Sequence, residues 1–398
     1  MKILSVLNIS NKENITCDSG YIFQAILAEE FNKKGHEYIV AGSNCKQFRK
    51  VKIPHTKKVY LPLGTNKYSA RFDFDSRYFY KLLDKIKPDI IFNTQAELTP
   101  AIKSVLAWNK LNIPVVTYCH YPALWANKPN SSIPELDQSL NSENLCTPIL
   151  MNILSALQIS DIFIIQSKFA KKLLEKAAKF HNIKYKKNRF FVVAPPADEK
   201  FLEYIYTNEP DRNFVYNHRL YKTYGTEKFI TIFKKLNKKY GVNCSVLDPM
   251  QKRSKQRSAH NNTPAEYLQQ MAQTQGFIVE RNNRNRNEYK RILSKSLAGF
   301  APLRPACVWS MAAMDCMGLG IPVIAPNMAA FPEFIPQKLL YKNQSELENI
   351  VKNIIEDSSF RQSMSRECFN IAKKYSAKNI TCELESVFKQ ILDKKCTE

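Results

Sequence analysis

The sequence predicts an α/β fold of two doubly wound, Rossmann-like domains. Two observations carry this. Short apolar runs of strand length alternate with longer helical stretches along the whole chain, which implies parallel sheets covered on both faces. The chain has 398 residues, 44% of them hydrophobic and including 23 Phe and 19 Tyr. That length exceeds one ordinary core and suits two.

The elements follow in order. Residues 1–7 (MKILSVL) form an opening strand, followed by a polar loop carrying Asp18, Ser19 and Gly20. A helix is predicted over 21–34, its apolar face set by Ile22, Ile26, Leu27 and Phe31 at a spacing near 3.6. Buried strands are expected at 36–40, 88–93, 113–120, 160–167 and 189–198, with a Lys-rich helix after the fourth. The second half opens with a strand at 213–220 (NFVYNHRL) and a turn, Tyr221 to Gly225. Further strands are expected at 244–247 and 277–280.

The segment 299–336 is the most informative. Residues 297–302 are an apolar strand closed by Pro302, Arg304 and Pro305; 307–317 lack Pro and Gly and have helical length. Gly318 and Gly320 stop that helix, and 321–325 (IPVIA) resume as a strand. A helix opening at Ala306 to Trp309, fed by a strand, offers unpaired N–H groups and a positive dipole end to a diphosphate.

The charge is unusual: 59 Lys+Arg against 36 Asp+Glu, a net +23. Many lysines fit the solvated faces of amphipathic helices. The arginines stand apart. Lys252, Arg253, Lys255 and Arg257 follow one strand, and Arg281, Arg284 and Arg286 follow the next, both at the strand edge where doubly wound sheets bind ligands. Such a basic rim attracts a polyanion such as nucleic acid, or an anionic membrane surface. The ten cysteines show no CxxC or Cys/His cluster, so neither zinc nor a disulfide framework is expected. With no apolar run of membrane-span length and no signal-peptide pattern, the chain reads as cytoplasmic.

The segment 299–336 resembles the donor-site signature of GT-B glycosyltransferases, particularly the retaining family-4 group. Gly320-Ile321-Pro322-Val323 and Pro332-Glu333 match that signature; Asp315 stands where the second Glu of its pair falls, and Cys307 where the first does. A thiol cannot replace a carboxylate that grips the transferred sugar, whereas Asp315 can still accept from ribose hydroxyls. The opening strand, glycine loop, helix and "GHE" are similar to that family's start, and "NHRL…YG" to its diphosphate-binding element. Arg219 and Gly225 align there, Tyr224 occupies the position of the expected Lys, and Lys222 lies two residues away.

The resemblance implies a GT-B fold, with two domains facing across a cleft. Residues 1–196 would form the acceptor-side domain, 197–375 the nucleotide-sugar domain, and 376–398 a helix crossing back to the first. The implied reaction transfers a sugar from a UDP- or GDP-sugar to an acceptor hydroxyl, with retention and without a metal. Arg219 and Lys222 would neutralise the diphosphate, and His120, at the end of a strand, would act beside the donor sugar. Asp315, Cys307, Val308, Trp309 and Ser310 would line the donor pocket, with Ser19, Gly20 and Pro249 completing it. Three readings follow for the acceptor. The first is a hydroxymethylated base in DNA, as in phage DNA-modifying enzymes, gripped by the rim of Lys252, Arg253, Lys255, Arg257, Arg281, Arg284 and Arg286. The second is a surface glycan or glycolipid at an anionic membrane. The third is a decayed donor site in a protein that only binds.

Overall fold

A computed structural model describes residues 1–7, 19–62, 71–126, 133–137, 145–206, 211–247, 263–280 and 285–397. The chain divides into two compact units, Met1–Pro196 with Ala377–Glu398, and Ala197–Ser376.

In the first unit the strands are β1 (Lys2–Leu7), β2 (Glu37–Ser43), β3 (Lys57–Leu61), β4 (Ile90–Asn93), β5 (Val115–Cys119), β6 (Leu124–Trp125), β7 (Glu135–Leu136), β8 (Ile162–Ile165) and β9 (Phe190–Val192). Seven of them form one sheet, ordered β3-β2-β1-β4-β5-β8-β9, and every pairing in it is parallel. β1 is the pivot: Ile3 sits beside Tyr38 on one side and Ile90 on the other. All four residues of β4, and all five of β5, are buried. This is the continuous apolar reading of a sheet covered on both faces.

The helix Ser19–Lys33 contains Gly20 in its first turn, so the expected glycine loop ends earlier than the sequence suggested. That helix buries Phe23, Leu27 and Phe31. Phe31 stacks on Phe388 of the C-terminal helix Ala377–Thr397, with ring centroids 5.7 Å apart and planes at 6°. Glu385 of the same helix meets Lys34 at 2.7 Å and His36 at 3.1 Å. The "GHE" turn is thereby tied to the chain's far end.

The second unit carries β10 (Asn213–Tyr216), β11 (Asn243–Val246), β12 (Phe277–Val279), β13 (Gly299–Phe300), β14 (Val323–Pro326) and β15 (Leu340–Tyr341), in the order β12-β11-β10-β13-β14-β15, all parallel. The core beneath it is aromatic: Phe214, Phe229, Phe233, Phe277 and Phe300 pack ring against ring. Strand order reverses between β10 and β13, and such a switch point leaves a crevice at the carboxyl ends of the strands. The segments leaving those two strands are the ones singled out above, Asn217 to Gly225 and Ala301 to Ser310.

One element begins later than predicted. The helix runs Met311–Gly318, not from 307, and Ser310 caps it by accepting from the Ala313 N–H at 3.1 Å. Gly318 is inside the last turn; Gly320, with φ +76°, reverses the chain into β14. Apolarity alone placed Cys307 to Trp309 in the helix, but the capping hydroxyl decides where it starts.

Candidate functional site

Asn217, one residue beyond β10, anchors the site. Its side-chain amide donates to the Tyr289 hydroxyl at 2.7 Å and to the Ala312 carbonyl at 2.9 Å. The exit from β10 is thereby pinned to the Met311–Gly318 helix. Arg219 follows two residues later. It is half-buried, and among the described residues its guanidinium has no hydrogen-bond or ion-pair partner. Lys222 is exposed in the turn Lys222–Tyr224.

Gly225 closes that turn at φ +68°, and a Cβ there would lie 2.6 Å from the Cβ of Leu303. Only glycine permits both the left-handed backbone and the approach. The close approach brings Tyr224 under Arg304, whose guanidinium lies 4.6 Å from the ring centroid and donates to the hydroxyl at 2.7 Å. A cation therefore stands over the tyrosine that replaces the expected lysine. Arg304 was legible in the sequence only as a strand terminator, because the contact spans 80 residues.

The first N–H groups of the Met311–Gly318 helix, at Met311 and Ala312, have no acceptor within the helix. Cys307 and Val308 are buried in the loop before it, and Trp309 is half-buried. The Cys307 thiol donates to the Trp309 carbonyl at 3.4 Å, and burial raises its pKa to about 11, against the pull of Arg304. It is a neutral thiol, not a nucleophile, at physiological pH. Trp309 packs on Phe334 and Tyr375, centroids 4.7 and 4.9 Å away.

Asp315 is 6% exposed. Burial raises its carboxyl to about 6, against the favourable charge of Arg286 and reinforced by Asp198. Arg286, expected on the polyanion rim, is instead engaged internally. It opens the helix Arg286–Ser294, lies 2.7 Å from Asp198 and 3.6 Å from Asp315, and stacks 4.3 Å from the Phe201 ring. The guanidinium is held between two carboxylates and an aromatic face and keeps 31% of its side chain exposed. Lys252, Arg253, Lys255, Arg257, Arg281, Arg284 and Pro249 lie outside the described residues.

In the first unit, His120 follows β5 directly. Phe23 meets its ring edge-on at 4.7 Å, and Gln166 lies 3.2 Å from Nδ1. Burial pushes the imidazole down to about 4, so it is neutral at physiological pH. With the Gln166 amide donating to Nδ1, the proton sits on Nε2, which is buried and has no partner among the described residues. Ser19 and Gly20 open the Ser19–Lys33 helix. Among the described residues, no three His, Cys, Asp or Glu side chains gather as metal ligands would.

Residues 25–200 match Glycosyltransferase Family 4. Solved structures match over nearly the full length. A glycosyltransferase from Rickettsia africae is 13% identical, with a TM-score of 0.68 and 98% of each chain covered. Sucrose-phosphate synthase from Thermosynechococcus elongatus is 14% identical, with a TM-score of 0.72 and 99% of each chain covered. Anabaena HepE, in complex with UDP and glucose, is 12% identical with a TM-score of 0.69, over 98% of this chain and 99% of that one. No curated relative matches in sequence. The chain has the fold of GT-B glycosyltransferases, and the family match over its first half agrees with that class.

Proposed function

We propose that this protein is a glycosyltransferase that moves a sugar from a UDP- or GDP-sugar to an acceptor hydroxyl, with retention. One observation carries the reading: at the switch point of the second sheet, Arg219, unpaired among the described residues, leaves β10 while the Met311–Gly318 helix is reached from β13. That constellation suits a diphosphate. HepE, of the same fold, was solved with UDP and glucose.

In this reading Arg219, Lys222 and the helix N–H groups stabilise charge on the diphosphate as its bond to the anomeric carbon breaks. Asp315 accepts from the ribose hydroxyls. The acceptor oxygen bonds to the anomeric carbon, and its proton passes to the departing phosphate. The Nε2–H of His120 is a neutral donor for a sugar hydroxyl. No step is assigned to Cys307, whose thiol is neutral.

For the acceptor we favour a hydroxymethylated base in DNA, on the net charge of +23 and the Lys252–Arg257 and Arg281–Arg284 runs. A second reading, a glycolipid at an anionic membrane, draws on the first unit. Trp108 and Phe180, 88% and 51% exposed, end two helices that both feed the starts of parallel strands, and exposed Lys110, Lys179 and Lys184 are near them in sequence. No helix among the described residues is long and apolar enough to cross a membrane.

The test is mass spectrometry of hydroxymethylated DNA incubated with the protein and UDP- or GDP-hexoses. The expected result is a hexose mass on the DNA. Transfer to a lipid-linked acceptor alone would move the assignment to the second reading, and absence of transfer or sugar-nucleotide hydrolysis would refute the enzyme.

A further inference from the structure

Arg286 departs furthest from its expected place, and its surroundings give it a different task. Five side chains from four segments form one chain of contacts, with Asn217, Tyr289 and Asp315 buried and Arg286 and Asp198 half-buried. Asn217, after β10, donates to the Tyr289 hydroxyl at 2.7 Å. Tyr289 and Arg286 belong to the Arg286–Ser294 helix, and the guanidinium lies 5.5 Å from the Tyr289 ring. Arg286 then reaches Asp315, on the Met311–Gly318 helix, at 3.6 Å, and Asp198, near the start of the second unit, at 2.7 Å. Phe201 covers its other face at 4.3 Å.

The geometry is asymmetric. Arg286 makes its close hydrogen bond to Asp198 and only a longer contact to Asp315. Asp315 therefore keeps accepting capacity that its charge partner does not consume. We propose that Arg286 is a positioning residue for the nucleotide: it holds Asp315 in place and ionised to accept the ribose hydroxyls, while Asp198 competes for the same guanidinium. This rests on the donor-site reading given above.

The groups facing Asp315 set the expected pH behaviour. Burial raises its pKa, Arg286 lowers it, Asp198 raises it and a hydrogen bond from the Tyr289 hydroxyl lowers it; Asn217 is neutral, and the buried Cys316 thiol next in sequence is held protonated. A carboxylate accepts from ribose hydroxyls better than a carboxylic acid does, so affinity rises as pH increases through the titration of Asp315. Removing the cation should move that rise to higher pH. Removing the competing carboxylate should move it lower.

The experiment is calorimetric titration of UDP, GDP and ADP into the full-length protein and its variants from pH 5 to 9. The wild type should gain affinity with a midpoint near 6 and level off above 7. Arg286→Met should shift that midpoint up by about one unit or more, which makes binding at pH 7 at least about twofold weaker while the gap narrows at pH 9. Arg286→Lys should stay close to the wild type. Asp198→Asn should shift the midpoint down. A merely structural role would instead weaken binding equally at every pH. Equal weakening, or unchanged midpoints in both Arg286→Met and Asp198→Asn, overturns the inference and leaves the donor site standing. If the wild type binds none of the three nucleotides, the donor-site reading itself fails, and this inference with it.

Discussion

Gly318→Ala gives a prediction whose sign separates local propensity from packing. Gly318 lies in the last turn of the helix that carries Asp315. In a helix, alanine is favoured over glycine by about 1 kcal/mol, so propensity alone expects a more stable protein. The surroundings say otherwise. A Cβ at 318 would stand 2.4 Å from the Phe201 carbonyl oxygen, 3.2 Å from its carbonyl carbon and 3.1 Å from a Leu202 methyl. The first two are backbone atoms of the short turn Glu199–Phe201 and cannot rotate away. Overpacking of this kind costs about 1–3 kcal/mol, and an immovable backbone puts it at the upper end. The net expectation is a loss of about 2 kcal/mol, or about 4–8 °C in Tm for a unit of this size. Urea and calorimetric unfolding measure it. The same turn begins beside Asp198, so UDP affinity should fall too. A variant as stable as the wild type, or more so, would refute the packing argument.

Further predictions concern the site itself. Arg219→Ala should weaken UDP binding about 10- to 100-fold, the worth of a charge-assisted contact, with Tm unchanged because the guanidinium supports no protein group among the described residues; near-normal affinity would misplace the diphosphate. His120 should stay neutral to below pH 5, since burial holds its pKa near 4, and an imidazole NMR titration near 6.5 would contradict its enclosure. Iodoacetamide should modify exposed Cys382 in the native protein but leave Cys307 intact until the chain is unfolded; rapid native labelling of Cys307 would contradict its burial.

Much of the fold was legible because both large sheets are parallel and buried, so most of their strands announced themselves as apolar runs. The two strands of those sheets that escaped prediction, β3 and β15, lie at sheet edges. β3 begins with Lys57 and Lys58, a polar signature; Lys58 turns inward to donate to the carbonyls of Phe48, Arg49 and Val51. β15 has only two residues, too few for a periodic signal. The site divides in the same way. Arg219, Gly225 and the 299–336 segment could be read locally, since a turn or a cap is set by adjacent residues. Arg286 could not: in sequence it is one cation in a run of Asn and Arg, and its hydrogen-bond partner Asp198 lies 88 residues earlier. The Arg304–Tyr224 pair was hidden for the same reason.

The claim on which the rest depends is the place of the diphosphate. A crystal structure with bound UDP tests it directly. The account predicts the phosphates against Arg219 and the N–H groups opening the Met311–Gly318 helix, with the ribose at Asp315. A diphosphate bound away from all three would contradict it.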